Sequence, residues 1–224
     1  MVIFFPSYAY LNKCVETWKI PSSHIVKDTG SLWQSMNTCK AVFQESGSNH
    51  DQSSQSQTSK SKVTQVDKTL KAYAEDISLG KGAVMLAVMS GSLSEGINFS
   101  DRLGRGVIVI GLPFPNPHSA EWKAKMDYIT KKSSKRSQHN HIPSAARDFY
   151  ENACMRTVNQ CIGRAIRHKN DYAAILLIDK RYSQSRINKK LPGWIRGNLF
   201  HSHDDRESKK GLVSFFQRHS EDDP

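Results

Sequence analysis

Ala83-Val84-Met85-Leu86-Ala87-Val88 is an unbroken apolar run, with no polar position between its members. A strand with one wet face alternates apolar and polar side chains, so a run without alternation reads as a strand covered on both faces. Three more runs share this character: Val2-Ile3-Phe4-Phe5, Val107-Ile108-Val109-Ile110 and Ala173-Ala174-Ile175-Leu176-Leu177-Ile178. Segments with helical spacing lie between them. Ser7 stands where it can cap a helix whose apolar face is Tyr8, Leu11, Val15 and Trp18. Val66, Leu70, Tyr73 and Ile77 recur at intervals of four, three and four. Ser144 is placed to cap a segment running from Ala145 through Phe149, Ala153 and Val158 toward Gly163. Doubly covered strands alternating with helices predict an α/β domain: a largely parallel sheet with helices on both faces.

Two segments interrupt that pattern. Ser46 to Ser61 contains no apolar residue and is expected to be a disordered insertion. Lys131 to His141 is polar and basic and reads as a mobile loop. The domain is expected to span 1–200. The charged tail, 201–224, carries Leu212, Val213, Phe215 and Phe216, which suggest a short packed helix. Val2 already belongs to a strand, so the chain reads as a piece of a longer one.

The net charge is +11 at pH 7, with an isoelectric point near 9.5. A polyanion suits such a surface, and a lysine-rich solubilising surface gives the same figures. From Trp122 to Arg147 there are seven Lys or Arg against one acid, Asp127. Lys131 and Lys132 in this stretch are candidate contacts to a phosphate backbone; the alternative is a solvated basic loop. Cys14, Cys39, Cys154 and Cys161 form no CxxC pair, and no histidine pair stands beside them at zinc-ligand spacing, which predicts reduced thiols and no metal site. The first residues, MVIFFPSYAYL, do not read as a signal peptide. No stretch approaches the roughly 18 uninterrupted apolar residues of a membrane span.

The chemistry concentrates in Asn159-Gln160-Cys161-Ile162-Gly163-Arg164-Ala165-Ile166-Arg167. Arg164 and Arg167, three apart, share one face of a helical turn. Gly163 keeps bulk away from whatever approaches. Guanidinium groups so placed can grip the terminal oxygens of a triphosphate by forked hydrogen bonds. Most arginine pairs are solvated faces; the glycine, the glutamine and the flanking apolar residues favour the phosphate reading here.

The stretch QCIGRAIRHKNDYAAILLIDKRY resembles motif VI of the superfamily 2 helicases related to XPD, the branch whose complete members carry an iron–sulfur cluster. Upstream, Gly91-Ser92-Leu93-Ser94-Glu95-Gly96-Ile97-Asn98-Phe99-Ser100-Asp101 resembles motif V, and Val2 to Tyr8 resembles motif IV. The three stand in the family's order. LGRGVIVIGLPFPNPHSAEWKAKMDYI and LPGWIR extend the likeness, which is greatest to the chromosome-loss type involved in sister-chromatid cohesion, with FANCJ-like helicases next.

The resemblance implies a RecA-like second motor lobe, with ATP bound in a cleft against a first lobe. It matches Gln160 to a position near the γ-phosphate, and Arg164 and Arg167 to two phosphate-contacting arginines. Gly96 and Asn98 match positions near the ribose, while Glu95 and Ser94 match positions linking ATP to the DNA track. Many relatives have aspartate where Asn98 stands, so a charge there is not carried over. Ser7 and Tyr8 fall where the lobe meets the DNA backbone; the residues alone read as a helix cap and a core aromatic. Gly96 equally fits a simple turn, Glu95 a solvated loop acid and Asn98 a turn former. Asp101 and Asp179 read as structural.

No G-x-x-x-x-G-K-[ST] phosphate loop occurs, since Gly80-Lys81-Gly82 lacks the leading glycine and the hydroxyl residue. There is no acidic box for Mg²⁺, and the family's cluster cysteines are missing. The expectation is therefore half of an Mg²⁺–ATP site. Its activity, 5′→3′ DNA unwinding in the nucleus with replication or cohesion proteins as partners, would require the first lobe and its iron–sulfur cluster. The other reading is a stand-alone nucleic-acid-binding module with a RecA-like fold. A phosphate loop and acidic box encoded upstream in the same transcript would separate the two.

Overall fold

A computed structural model describes residues 1–21, 30–45, 59–93, 98–99, 101–134, 142–166, 171–202 and 204–219. Five parallel strands form one sheet: β1 (Val2–Phe5), β2 (Ala41–Gln44), β3 (Ala83–Val88), β4 (Gly106–Ile110) and β5 (Ala174–Ile178). Their order across the sheet is β2-β3-β1-β4-β5. Strand β1 is central, which explains its fully apolar make-up.

The pleat sends alternate β1 residues into two cores. Val2 and Phe4 join Met85, Ala87, Val107 and Val109 against Tyr73, Val158 and Ile162. Ile3 and Phe5 join Val84, Leu86 and Val88 against Leu11 and Val15. Burying one such side chain fully is worth about 1.5–3 kcal/mol. The first core lies under α3 (Ser59–Ser78) and α5 (Ile142–Ile162), the second under α1 (Tyr8–Lys19) and α2 (Leu32–Cys39). Between α3 and α5 in sequence, α4 (Ala120–Ser134) packs on α5, with Trp122 against Phe149 and Tyr150. Helices thus cover both faces, as the uninterrupted apolar runs require.

Local signals set several boundaries. The Ser7 hydroxyl accepts from the Tyr10 amide at 3.2 Å and caps α1. Ser31 and Gln34 form a reciprocal capping box on α2. Asp179 accepts from the Arg181 amide at 2.8 Å and pairs with its guanidinium at 2.6 Å, a structural role.

Other expectations need correction. Strand β2 was not anticipated; its four residues are only half-buried and make a short apolar run. Ser144 lies inside α5, which starts at Ile142, ahead of the expected capping position. Phe149 is 38% exposed, turned to Trp122 and away from the sheet. Lys131 and Lys132 belong to the last turn of α4, where cations suit the negative helix terminus. The remainder of the expected basic loop, 135–141, lies outside the described residues, as does 46–58 of the expected insertion; 59–61 open helix α3. The C-terminal helix α8 (Asp205–His219) is longer than anticipated and docks through Phe215 and His219 on Tyr172, after two short helices, α6 (Ser185–Asn188) and α7 (Gly193–Arg196). Among the described residues no helix is long and apolar enough to cross a membrane.

Candidate functional site

The segments that follow β3 and α5 meet at three points among the described residues. The Cys161 thiol lies 3.6 Å from the Met89 carbonyl at the end of β3. Farther along, the Phe99 amide donates to the Arg164 carbonyl at 3.0 Å. The two segments then close at Arg105, which pairs with Asp171 at 2.7 Å and lies 3.8 Å over the Tyr172 ring. Phe99 is fastened from inside, with its buried ring edge-on to Phe4 and Tyr73 at 6.1 and 6.2 Å. Gly104 is required beside it: a Cβ there would stand 1.9 Å from the Phe99 carbonyl oxygen.

Arg164 is not helical. Helix α5 ends at Ile162, and Gly163 to Ala165 form a turn held by Arg164 N–H to Cys161 O at 3.2 Å and Ala165 N–H to Ile162 O at 3.1 Å. Arg164 is half-buried on that turn. The helical-face expectation for Arg164 and Arg167 is thus corrected for Arg164, while Arg167 lies outside the described residues.

Gln160 is exposed in the last turn of α5. It lines a groove of about 530 Å³ with Asn152, Met155, Arg156, Asn159 and Lys190. Arg156 was not singled out from sequence, although it stands four residues before Gln160 on the same face. Asn159 donates to the Lys190 carbonyl at 2.9 Å, and the Lys190 ammonium donates to Asn152 at 2.7 Å. Glu151 is 2% exposed and paired with Arg186 and Lys190. These ion pairs fix α5 against the segment 185–190.

Of the other candidates, Ser94, Glu95 and Gly96 lie outside the described residues. Asn98 is half-buried, next to Phe99. Ser7 is exposed and engaged as a cap. The Tyr8 hydroxyl donates to Glu45 at 2.9 Å; burial, then that bond, push its pKa up and keep the proton on oxygen. Lys131 and Lys132 are exposed, with the Lys132 ammonium 5.6 Å from the Tyr128 ring centre. Glu45 also escaped the sequence reading, because an acid between an edge strand and a polar stretch looks like an ordinary boundary residue.

The cysteines do not fit an iron–sulfur cluster. Cys154 and Cys161 are buried in the core face of α5, where burial pushes both thiols up to about 12, away from the thiolate a metal needs. Among the described residues no three metal-ligating side chains gather.

Residues 1–198 match the family described as the helicase C-terminal domain. The chain is similar to the ATP-dependent DNA helicase CHL1 of Coccidioides immitis, 52% identical over 205 residues, covering 89% of this chain and 22% of that protein. The Aspergillus clavatus chl1 helicase is 45% identical over 225 residues, covering 96% and 29%. That of Schizosaccharomyces pombe is 38% identical over 217 residues, covering 97% and 23%. The chain therefore spans less than a third of the length of these relatives. The Xpd4 structure of S. tokodaii aligns with 86% of this chain and 29% of its own, at a TM-score of 0.45 and 18% identity.

Proposed function

This chain belongs to the helicase C-terminal domain family, and we propose that it is the second motor lobe of an ATP-dependent 5′→3′ DNA helicase of the chromosome-loss type. The observation that carries this reading is the Phe99–Arg164 backbone bond at 3.0 Å, which joins two segments 65 positions apart in sequence into one surface. In this reading ATP is bound between this surface and a first lobe that supplies the phosphate loop and the Mg²⁺-binding acids. Arg164 and Arg167 stabilise the charge that builds on the γ-phosphate. Gln160, exposed beside them, faces the first lobe. Asn98, with Gly96, lines the ribose side, and Glu95 and Ser94 link the ATP site to the DNA track. The complete protein is a nuclear enzyme with an iron–sulfur cluster in its first lobe, acting with replication or cohesion factors.

Because this chain holds neither a phosphate loop nor an acidic box, the purified 224-residue chain is expected to hydrolyse ATP no faster than background, with or without DNA. A phosphate-release assay checks this. Turnover well above background that disappears in Arg164→Ala would mean the active site is complete within the chain, and the half-site reading fails.

The exposed lysines at the end of α4 carry a separate expectation. In the complete enzyme, Lys131→Ala with Lys132→Ala should weaken DNA binding and lower the slope of log affinity against log salt by about 1–2. The maximal ATPase rate at saturating DNA should stay nearly intact. An unchanged salt slope would remove these residues from the DNA track.

A further inference from the structure

Glu45 follows β2 directly and is 3% exposed. A buried carboxylate needs several donors, since leaving one without them is costly. One oxygen accepts from the Val88 amide at 2.8 Å. The other accepts from the Leu93 amide at 3.1 Å and from the Tyr8 hydroxyl at 2.9 Å. The Ser92 backbone amide in turn lies against the Tyr8 hydroxyl. The turn between Val88 and Leu93 is closed over the carboxylate: a Cβ at Gly91 would stand 2.4 Å from a Glu45 oxygen. One acid therefore ties together the segments that follow β1, β2 and β3.

The same turn reaches the arginine-bearing segment directly, since the Met89 carbonyl accepts from the Cys161 thiol at 3.6 Å. We propose that Glu45 and Tyr8 are positioning residues of the nucleotide half-site, clamping the Val88–Leu93 turn whose Met89 carbonyl supports the arginine-bearing segment at Cys161. This rests on the motor-lobe reading. Tyr8, matched by resemblance to a DNA contact, has its hydroxyl turned inward. Its part is to complete the clamp.

The test combines two measurements. Amide hydrogen exchange on the 224-residue chain reports the clamp itself. Tyr8→Phe removes one hydroxyl and leaves Glu45 its two backbone donors, so exchange at Leu93 should quicken while exchange in β1 and β4 is unaltered. In the full-length helicase, Tyr8→Phe should lower kcat about tenfold with KM for ATP within about twofold. Glu45→Gln, which puts an N–H donor among N–H donors, should lower kcat on the order of 10²-fold. Val15→Ala makes a cavity in the same core that Tyr8 and Val88 line but removes none of the Glu45 hydrogen bonds, so it controls for general destabilisation and should keep kcat. The proposal is overturned if Leu93 exchange is unchanged in Tyr8→Phe, if exchange quickens but kcat is retained, or if Val15→Ala lowers kcat equally. Arg164→Lys in the same enzyme separates the two readings. Full activity there defeats the motor lobe, whereas its inactivation beside a fully active Tyr8→Phe defeats only the clamp.

Discussion

In a complete enzyme carrying this lobe, Arg164→Lys and Arg167→Lys each lower DNA-stimulated ATP hydrolysis severely, although both keep the positive charge. Arginine fingers are worth on the order of 10³ to 10⁵ in rate where they have been dissected. Lysine should recover little of this, because a point ammonium cannot make the forked contact of a planar guanidinium. Position matters as well. Arg164 stands on a turn whose backbone is held on both sides, by its own N–H to Cys161 and by its carbonyl to Phe99. The guanidinium therefore starts from a fixed base, and its stem is half-buried. The loss should appear in kcat and in unwinding, with DNA affinity at fixed salt changed little. ATPase rate measured against DNA concentration decides the matter. If a variant loses DNA affinity and keeps its maximal rate, the arginines form a basic face and do not act on the phosphate.

The largest effect on stability is expected at Gly104. The methyl of Gly104→Ala would enter a space already filled by backbone, 1.9 Å from the Phe99 carbonyl oxygen and 3.0 Å from its carbon. No side-chain rotation relieves this, so the chain must shift. Phe99 cannot yield easily, since its ring is packed edge-on between Phe4 and Tyr73 and its amide is bonded to Arg164. Overpacking of this kind costs about 3 kcal/mol. For a domain of this size that corresponds to a fall in thermal midpoint of roughly 6–12 °C. Circular dichroism melting checks it, and a midpoint within a degree of the parent's would show that Phe99 is less constrained than its contacts imply. Gly211→Ala, on α8 with nothing within 4 Å of the added carbon, serves as the contrast and should be neutral or slightly stabilising.

Part of the candidate site was legible as a candidate because its residues are close in sequence. Gln160, Gly163 and Arg164 fall within five positions, and their types alone suggest a phosphate grip. The helical placement of Arg164 was wrong. Residue spacing reveals which positions share a face if a helix continues, but it does not reveal that this helix stops at Ile162. Glu45 was illegible for a different reason. Its donors come from positions 8, 88 and 93, and no window of sequence contains them together.

The amino-acid sequence by itself determined four of the five strands and the amphipathic helices α1, α3 and α5. A strand buried on both faces must be apolar throughout, and a helix on a sheet must be apolar on one side. Both are local demands. The order β2-β3-β1-β4-β5, the half-buried edge strand β2, the contact between Phe99 and Arg164 and the burial of Glu45 were decided only in the tertiary structure. Each depends on which distant segments meet. That choice is set by the summed packing and hydrogen bonding of the whole domain, to which no single segment's pattern corresponds.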